Sequence, residues 1–97
     1  MILGATIKAL RKKRNKSQED IAKECAISQT YFSQLEADKR NPNLETLNKI
    51  SVALGVPLPI LFFLAMEDAD VPPEKRESFK FLLPTVKSLI NEFFTVS

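Results

Sequence analysis

The sequence predicts an all-α protein, and three observations carry that prediction. Apolar residues recur every three or four positions in several successive segments, which is the spacing of one helix face. Serine or asparagine precedes several of these segments, and both residues favour the N-cap position of a helix. No stretch of the 97 residues shows the alternation of a strand, and no internal repeat is evident. An apolar fraction of 44% is enough for one small core.

The first helix is predicted over roughly residues 2–14, because Leu3, Ile7 and Leu10 fall on one helical face. Its C-terminal end carries a dense run of cations, Arg11, Lys12, Lys13, Arg14 and Lys16. Cations stabilise the C-terminus of a helix through the helix dipole. The run therefore has a structural interpretation beside a functional one.

Two short helices follow almost back to back. Ser17 is placed to cap the second helix, with Asp20 as a weaker version of the glutamate of a capping box. This helix must end near Cys25, because Ser28 caps a third helix only three residues later. Their inward faces are apolar: Ile21, Ala22 and Cys25 in the second helix, and Tyr31, Phe32 and Leu35 in the third.

The fourth helix is predicted from near Asn43 to Leu54, with Gly55 at the position of a left-handed C-terminal cap. Its inward stripe comprises Leu44, Leu47, Ile50, Ser51 and Leu54. Pro57 then starts a short fifth helix that runs from Leu58 to about residue 64 or 66.

The chain is expected to divide into three parts. Residues 1–66 form a helical domain, residues 67–73 form an acidic linker ending in two prolines, and residues 74–97 form an amphipathic C-terminal segment. Pro84 interrupts that segment, so we expect a helix that is kinked or split there. Its apolar stripe is assigned to dimerisation or partner binding: Phe79, Leu82, Leu83, Val86, Leu89, Ile90 and Phe93. Dimerisation is favoured, while folding back on the domain, or docking of another protein or a small inducer, stays open.

Charge and composition limit the classes of function. The net charge is +2, with ten Lys and Arg against six Asp and Glu in residues 1–49 and four against six in residues 50–97. An anionic partner would therefore bind the N-terminal half. The chain has no histidine and one cysteine, Cys25, which is expected to be a small buried hydrophobe. With no phosphate-binding loop and no metal-ligand spacing, we expect no enzyme, no catalytic residue, no cofactor and no metal.

A soluble cytoplasmic location is expected. The basic run follows the first apolar residues, whereas in a signal peptide it precedes them. The longest uncharged run, residues 50–66, contains Gly55, Pro57 and Pro59 and is too short and too broken to span a bilayer.

The third helix carries the polar side chains expected of a helix that reads DNA. Contacts with base edges are assigned to Gln29, Thr30, Ser33 and Gln34. Glutamine suits a bidentate contact with adenine, and threonine can meet the methyl group of thymine. Phosphate contacts are assigned to Gln18 at the start of the second helix and to Tyr31, Lys39, Arg40 and Asn41. Tyr31 has an equally good interpretation as a cover for the edge of the domain.

A family pattern extends from about Leu3 to Phe63. It consists of Leu10-Arg11, Ser17-Gln18-Glu19-Asp20-Ile21-Ala22, Ile27-Ser28, Phe32-Ser33-Gln34-Leu35-Glu36, Pro42, Leu47, Ile50 and Ala53-Leu54-Gly55-Val56, followed by Leu61 and Phe62. In these residues the chain resembles the Cro and phage-repressor type of helix-turn-helix domain, also called Xre-like.

The resemblance implies a five-helix, lambda-repressor-like domain that binds operator DNA, usually as a two-fold dimer. It implies that Gln18 contacts a phosphate. Base edges are then contacted by Gln29, Thr30 and Ser33, with Gln34 beside them. The resemblance also implies an internal ion pair between Arg11 and Glu36, which ties the first helix to the third.

The chain departs from the family pattern at two positions. The family commonly has glycine where this chain has Ala26, in the turn between the second and third helices, and where it has Asp38, after the third helix. Aspartate tolerates a left-handed backbone, whereas alanine tolerates it poorly. We therefore expect a strained or altered turn at Ala26.

The leading interpretation is a sequence-specific double-stranded DNA-binding transcriptional regulator, a repressor that binds a palindromic operator as a homodimer. The alternative is an antitoxin-like interaction module whose C-terminal helix binds another protein.

Overall fold

A computed structural model describes residues 1–94 and confirms the all-α prediction. This part of the chain contains six α-helices, which are α1 (Leu3–Lys13), α2 (Gln18–Glu24), α3 (Gln29–Glu36), α4 (Leu44–Leu54), α5 (Leu58–Ala65) and α6 (Arg76–Phe94). Two short 3-10 turns, Asp68–Asp70 and Pro73–Lys75, lie in and beside the predicted linker between α5 and α6. The helix boundaries lie within about two residues of those predicted.

The start of α2 is a complete capping box. The Ser17 hydroxyl accepts a hydrogen bond from the Asp20 backbone N–H at 3.0 Å, and the Asp20 carboxylate accepts one from the Ser17 N–H at 2.8 Å. The bond from the Ser17 backbone is the main reason that the pKa of Asp20 lies below its usual value. A lowered carboxyl pKa means that this bond stabilises the fold above the ordinary pKa and is lost as the pH falls through the lowered one.

Helix α3 starts in the same way, because the Ser28 hydroxyl accepts a hydrogen bond from the Tyr31 N–H at 3.0 Å. Helix α4 is capped by Asn43, whose side-chain oxygen accepts from the Thr46 N–H at 2.8 Å. It ends at Gly55, whose φ of +73° is the left-handed conformation that glycine adopts without strain.

One core joins the first five helices. Its fully buried members are Ile7 of α1, Ile21 of α2, Phe32 and Leu35 of α3, Ile50 and Leu54 of α4, and Leu61 of α5. Cys25 is also buried, and this burial raises the pKa of its thiol, so the side chain acts as a small hydrophobe. No single helix within residues 1–94 has both the length and the apolar composition to cross a membrane.

The turn at Ala26 has the strained backbone that its departure from the family pattern predicts. Ala26 has a φ of +56°, and Asp38 has a φ of +57°. Asp38 gains a compensating contact, because its carboxylate accepts a hydrogen bond from the Gly4 N–H at 3.2 Å. Ala26 has no side chain that could form such a bond.

Replacing Ala26 with glycine should raise the free energy of unfolding by about 0.5–1 kcal/mol. A left-handed conformation costs a residue that carries a Cβ roughly 1–2 kcal/mol, and the greater freedom of glycine in the unfolded chain offsets roughly 0.4–1 kcal/mol of that gain. Urea unfolding measures the difference. Asp38→Gly is the matched control, since it relieves the same strain but removes the bond to Gly4. An Ala26→Gly variant no more stable than the parent would show that the turn is unstrained.

Helix α6 is continuous through Pro84, so it is not split there. Its inner side lies on the rest of the protein. Ile90 is only 7% exposed, and the ring of Phe79 meets that of Phe63 edge to face, with centroids 6.5 Å apart. At the far end, the Arg14 guanidinium donates a hydrogen bond to the backbone carbonyl of Phe94.

The seven apolar residues assigned to one partner-binding stripe fall on two sides of α6. Phe79, Leu83, Val86 and Ile90 are buried or half-buried within the protomer. By contrast, Leu82, Leu89 and Phe93 are exposed, and Phe81, which the sequence assignment omitted, joins them. A helix that is apolar on two sides can contact its own domain and a partner at the same time, so folding back and association do not exclude each other.

Candidate nucleic-acid interface

The four side chains assigned to base reading lie together on the outer surface of α3. They line one shallow depression with Gln18 of α2: Gln29, Thr30, Ser33 and Gln34. Gln29 and Thr30 are exposed, and Ser33 and Gln34 are half-exposed. The arrangement offers amide and hydroxyl groups to a ligand that approaches from solvent.

The opposite side of α3 fixes this orientation. Phe32 and Leu35 are buried in the core, three residues apart on the inner face. The Ser28 cap sets where the helix begins, and the short turn after α2 sets its angle to that helix. The outer surface of α3 is therefore presented by a rigid pair of helices.

A buried ion pair ties α3 to α1. Arg11 Nε lies 2.7 Å from Glu36 Oε2, and its Nη2 donates to Oε1 at 3.1 Å. The two residues are 8% and 7% exposed. Arg11 Nη1 also donates to the Lys16 carbonyl at 2.9 Å, so every side of the guanidinium has a partner. This is the pair that the family resemblance implies.

The same carboxylate also holds Gln18. Gln18 Nε2 donates a hydrogen bond to Glu36 Oε1 at 2.9 Å. This bond uses one of the two amide hydrogens and leaves the second hydrogen and the amide oxygen for other partners. Glu36 thus orients a side chain at the edge of the α3 surface, although phosphate binding by Gln18 stays a prediction.

The cationic run at the C-terminal end of α1 is largely used inside the protein. Arg11 pairs with Glu36, and Arg14 bonds to the end of α6. Lys16 bridges two helices, because its Nζ lies 2.8 Å from Glu24 Oε1 and 3.1 Å from the Ala53 carbonyl. The structural interpretation of the run therefore applies to these three cations, whereas Lys12 and Lys13 are exposed.

The loop after α3 carries the other predicted phosphate ligands. Lys39, Arg40 and Asn41 are all exposed. The Arg40 guanidinium lies over the ring of Tyr31, 5.1 Å from the ring centroid, which is a cation–π contact. Tyr31 is half-buried against the core. It therefore covers the edge of the domain and also positions Arg40.

The family model HTH_3, described as helix-turn-helix, matches residues 7–61. The chain belongs to this helix-turn-helix family. The match runs from the middle of α1 to the middle of α5, which is the part that carries the α2–α3 pair and the buried Arg11–Glu36 ion pair. Helix α6 lies outside it.

Two similar proteins have names that describe a repressor and a control protein. The immunity repressor protein of Bacillus phage phi105 is 39% identical over 56 residues, which span 58% of this chain and 39% of the repressor's own length. The control protein C.MunI of a Mycoplasma species is 45% identical over 60 residues, which span 61% of this chain and 81% of that protein.

A solved structure extends the similarity to the C-terminal helix. The structure of the SinR protein/SinI protein complex contains a chain that matches with a TM-score of 0.61 and 26% identity. The match covers 96% of this chain and 90% of that chain. An additional helical segment after the helix-turn-helix domain is therefore shared with a solved protein.

The sequence analysis of this helix-turn-helix protein did not predict the internal contacts of Arg14 and Lys16, and it omitted Phe81 from the apolar stripe of α6. The internal partners of Arg14 and Lys16 depend on where α6 and α4 end in space, and no local pattern encodes that. Phe81 did have a signal, since it is adjacent to Leu82 and lies one turn before Thr85 on the outer side of a predicted helix. Within the described residues no three His, Cys, Asp or Glu side chains group into a metal site.

Proposed function

We propose that this DNA-binding transcriptional regulator is a repressor that acts in the cytoplasm and binds a palindromic operator as a homodimer. One observation carries the proposal: Gln29, Thr30, Ser33 and Gln34 share one outward surface of α3, beside Gln18. A helix of this kind fits the major groove, where base edges present a distinct set of donors and acceptors. Repression is supported by the similarity to a protein named as an immunity repressor.

The proposed contacts divide into two kinds. Base edges are read by the amides of Gln29 and Gln34 and by the hydroxyls of Thr30 and Ser33. Contacts with the DNA backbone come from Gln18, Lys39, Arg40 and Asn41, with Tyr31 holding Arg40 in place. Backbone contacts set affinity and register, while base contacts set the preferred sequence.

A selection from randomised duplexes with the purified protein tests the proposal directly. We expect a palindromic consensus whose half-sites lie about 10 base pairs apart, which is one turn of B-DNA. A consensus without two-fold symmetry would contradict the dimer. No enrichment at low ionic strength would contradict DNA reading altogether.

Replacing Gln29 and Ser33 together with alanine should remove most of the preference for the operator. A good base contact contributes about 1–3 kcal/mol of discrimination. The ratio of operator to random-duplex affinity should therefore fall at least about tenfold for each contact of 1.4 kcal/mol or more. Competition gel shifts measure the ratio, and the unfolding curve should stay close to that of the parent because neither side chain is buried.

Two variants make this result specific. Ser88→Ala changes an exposed serine on α6 and should leave both affinities unchanged. Lys39→Ala should weaken binding to all duplexes alike and lower the salt dependence by about one unit of slope. If the Gln29/Ser33 double variant keeps full discrimination, α3 is not the reading helix.

The homodimer is proposed from the outer side of α6. Phe81 and Phe93 are 82% and 75% exposed, and Leu82 and Leu89 lie between them on the same side. Monomeric proteins rarely leave such a contiguous apolar surface in water. A two-fold axis through this surface would pair two DNA-binding domains, as a palindromic operator requires.

Replacing Leu82 and Leu89 together with glutamate should convert the protein from a dimer to a monomer. The two residues are seven apart, so both charges would enter the proposed interface. Sedimentation equilibrium should show about twice the 11.0 kDa chain mass for the parent and the chain mass for the variant. Val52→Glu is the control, because Val52 is 73% exposed on α4 and lies outside the stripe. Equal dissociation by Val52→Glu would argue against this interface.

A second candidate function is binding of a different protein through the same stripe. The similar SinR chain was solved in a complex with SinI, which favours this candidate. A parent protein that is monomeric at all concentrations, and that co-purifies with a stable partner lost on Leu82→Glu/Leu89→Glu, would support it over the homodimer.

A further inference from the structure

An unfilled groove separates α6 from α1. Its volume is about 230 Å³, and it is lined by Ile2, Ala5, Thr6, Ala9, Leu10 and Lys13 on the α1 side, Leu64 of α5, and Lys87 and Asn91 of α6. The cause is a mismatch of side-chain size. Ala5 and Ala9 lie one turn apart and present only methyl groups to the seam. The groove is open to solvent.

The two ends of the groove differ in chemistry. The Met1 ammonium pairs with Asp70, which lies in the 3-10 turn to which Arg76 at the start of α6 donates a hydrogen bond. Arg14 bonds to the carbonyl of Phe94 at the end of α6. Helices α1 and α6 therefore run in the same direction, with Ile2 at one end of the seam and Lys13 at the other. The end that contains Ile2 is apolar, because the Thr6 hydroxyl is already bonded to the Ile2 carbonyl at 2.7 Å.

The polar border of the groove is cationic. Lys13 and Lys87 border the groove from opposite helices, and Asn91 lies one turn after Lys87. Neither lysine forms an ion pair with any carboxylate of residues 1–94. Two ammonium groups on the border of an apolar groove suit a ligand with a single anionic head and a hydrocarbon body.

We propose that this groove between α1 and α6 binds a small amphiphilic carboxylate of about fatty-acid type, with its head between Lys13 and Lys87 and its chain over Ala5, Ala9 and Leu64. The volume sets the size. A cavity of about 150 Å³ holds benzene, so the groove has room for a chain of roughly six to eight carbons. A nucleotide is too large and would find no aromatic side chain to stack on. The groove lies between the DNA-binding domain and the proposed dimerisation helix. Its ligand would therefore be an effector of DNA binding, and this consequence alone rests on the proposed function.

The test uses the full chain without DNA, so its outcome does not depend on operator binding. Octanoate is titrated into the ¹⁵N-labelled protein, with octanol and octylamine as probes of the same length without the negative charge. We expect saturable shifts at the amides of Ala5, Ala9 and Lys87, and at least tenfold tighter binding of octanoate than of either probe. Binding should tighten about fourfold for each carbon from hexanoate to octanoate, which is the effect of burying one methylene.

Matched variants test the placement of the carboxylate. Lys13→Gln/Lys87→Gln should abolish the preference for octanoate over octanol and keep octanol binding. Lys12→Gln, which removes an exposed neighbouring charge outside the groove, should leave the preference intact. The proposal is overturned if octanoate gives no saturable shifts at millimolar concentration, if the shifts fall on Phe81, Leu82 and Leu89 instead, or if Lys12→Gln has the same effect as the double variant.

Discussion

Replacing Glu36 with alanine should lower the free energy of unfolding by about 3–5 kcal/mol, because it leaves the buried charge of Arg11 without its partner. Arg11 is 8% exposed and would keep one hydrogen bond, to the Lys16 carbonyl. Gln18 would lose its partner as well. A small domain has only about 5–15 kcal/mol of stability in total. The variant should therefore be largely unfolded at moderate urea concentrations at which the parent is folded.

Two further variants separate the buried charge from other causes. Glu45→Ala removes the partner of Lys49 in an exposed pair at 3.6 Å, and it should cost on the order of 0.5 kcal/mol. The double variant Arg11→Met/Glu36→Met removes both charges and should recover most of the loss, since a buried pair contributes little relative to apolar residues of similar size. If Glu36→Ala costs no more than Glu45→Ala in urea unfolding, the ion pair is not a major constraint on the fold.

The first five helices were predictable because their signals are local. A hydroxyl or amide cap precedes α2, α3 and α4, and each cap forms its hydrogen bond in the structure. Gly55 ends α4 in the left-handed conformation that its position indicated. The apolar spacing then decided which side of each helix entered the core, and so which side of α3 was left exposed.

The position of α6 was not predictable in the same way. Its sequence shows that one side must be buried, but both a second copy and its own domain offer apolar surface. In the structure the two apolar sides of α6 differ in exposure, because Ile90 is buried and Phe93 is exposed. A broad apolar stripe contains no signal that says which residues meet which surface, because hydrophobic contact is not directional.

The candidate DNA-binding residues were predictable as a set but not in their supporting contacts. The spacing along α3 placed Gln29, Thr30 and Ser33 on one surface, and the structure brings Gln18 beside them. The bond from Gln18 to Glu36 and the contact of Arg40 with Tyr31 are tertiary. They depend on how α2, α3 and the following loop meet, which single-sequence spacing does not encode.

The close approach of α1 to the end of α3 at Gly4 is another tertiary contact that sequence spacing does not encode. Its disruption leads to the second large expected effect. A Cβ added to Gly4 would lie 2.5 Å from the Glu36 carbonyl oxygen, 2.8 Å from that of Leu35 and 2.7 Å from the Asp38 carboxylate. Two of these three atoms belong to the backbone at the end of α3 and cannot rotate away. Nothing in the sequence marks Gly4 as special, because a glycine near the start of a helix is ordinary.

Replacing Gly4 with alanine should therefore destabilise the protein by at least about 2 kcal/mol, since forced overpacking costs roughly 1–3 kcal/mol or more. In the variant the hydrogen bond from the residue 4 N–H to Asp38 would be strained as well. Helix propensity predicts the opposite sign, because alanine is better than glycine in a helix by about 1 kcal/mol. The sign of the change in stability thus decides between close approach and helix propensity.

Two controls separate the causes. Asp38→Ala reports the lost hydrogen bond alone, and Ala5→Gly, one residue later and exposed, reports propensity alone. Urea unfolding of the three variants should rank Gly4→Ala as the least stable. A Gly4→Ala protein as stable as the parent would show that α1 does not approach the end of α3 this closely, and the rigid link between α1 and α3 would then rest on the Arg11–Glu36 pair.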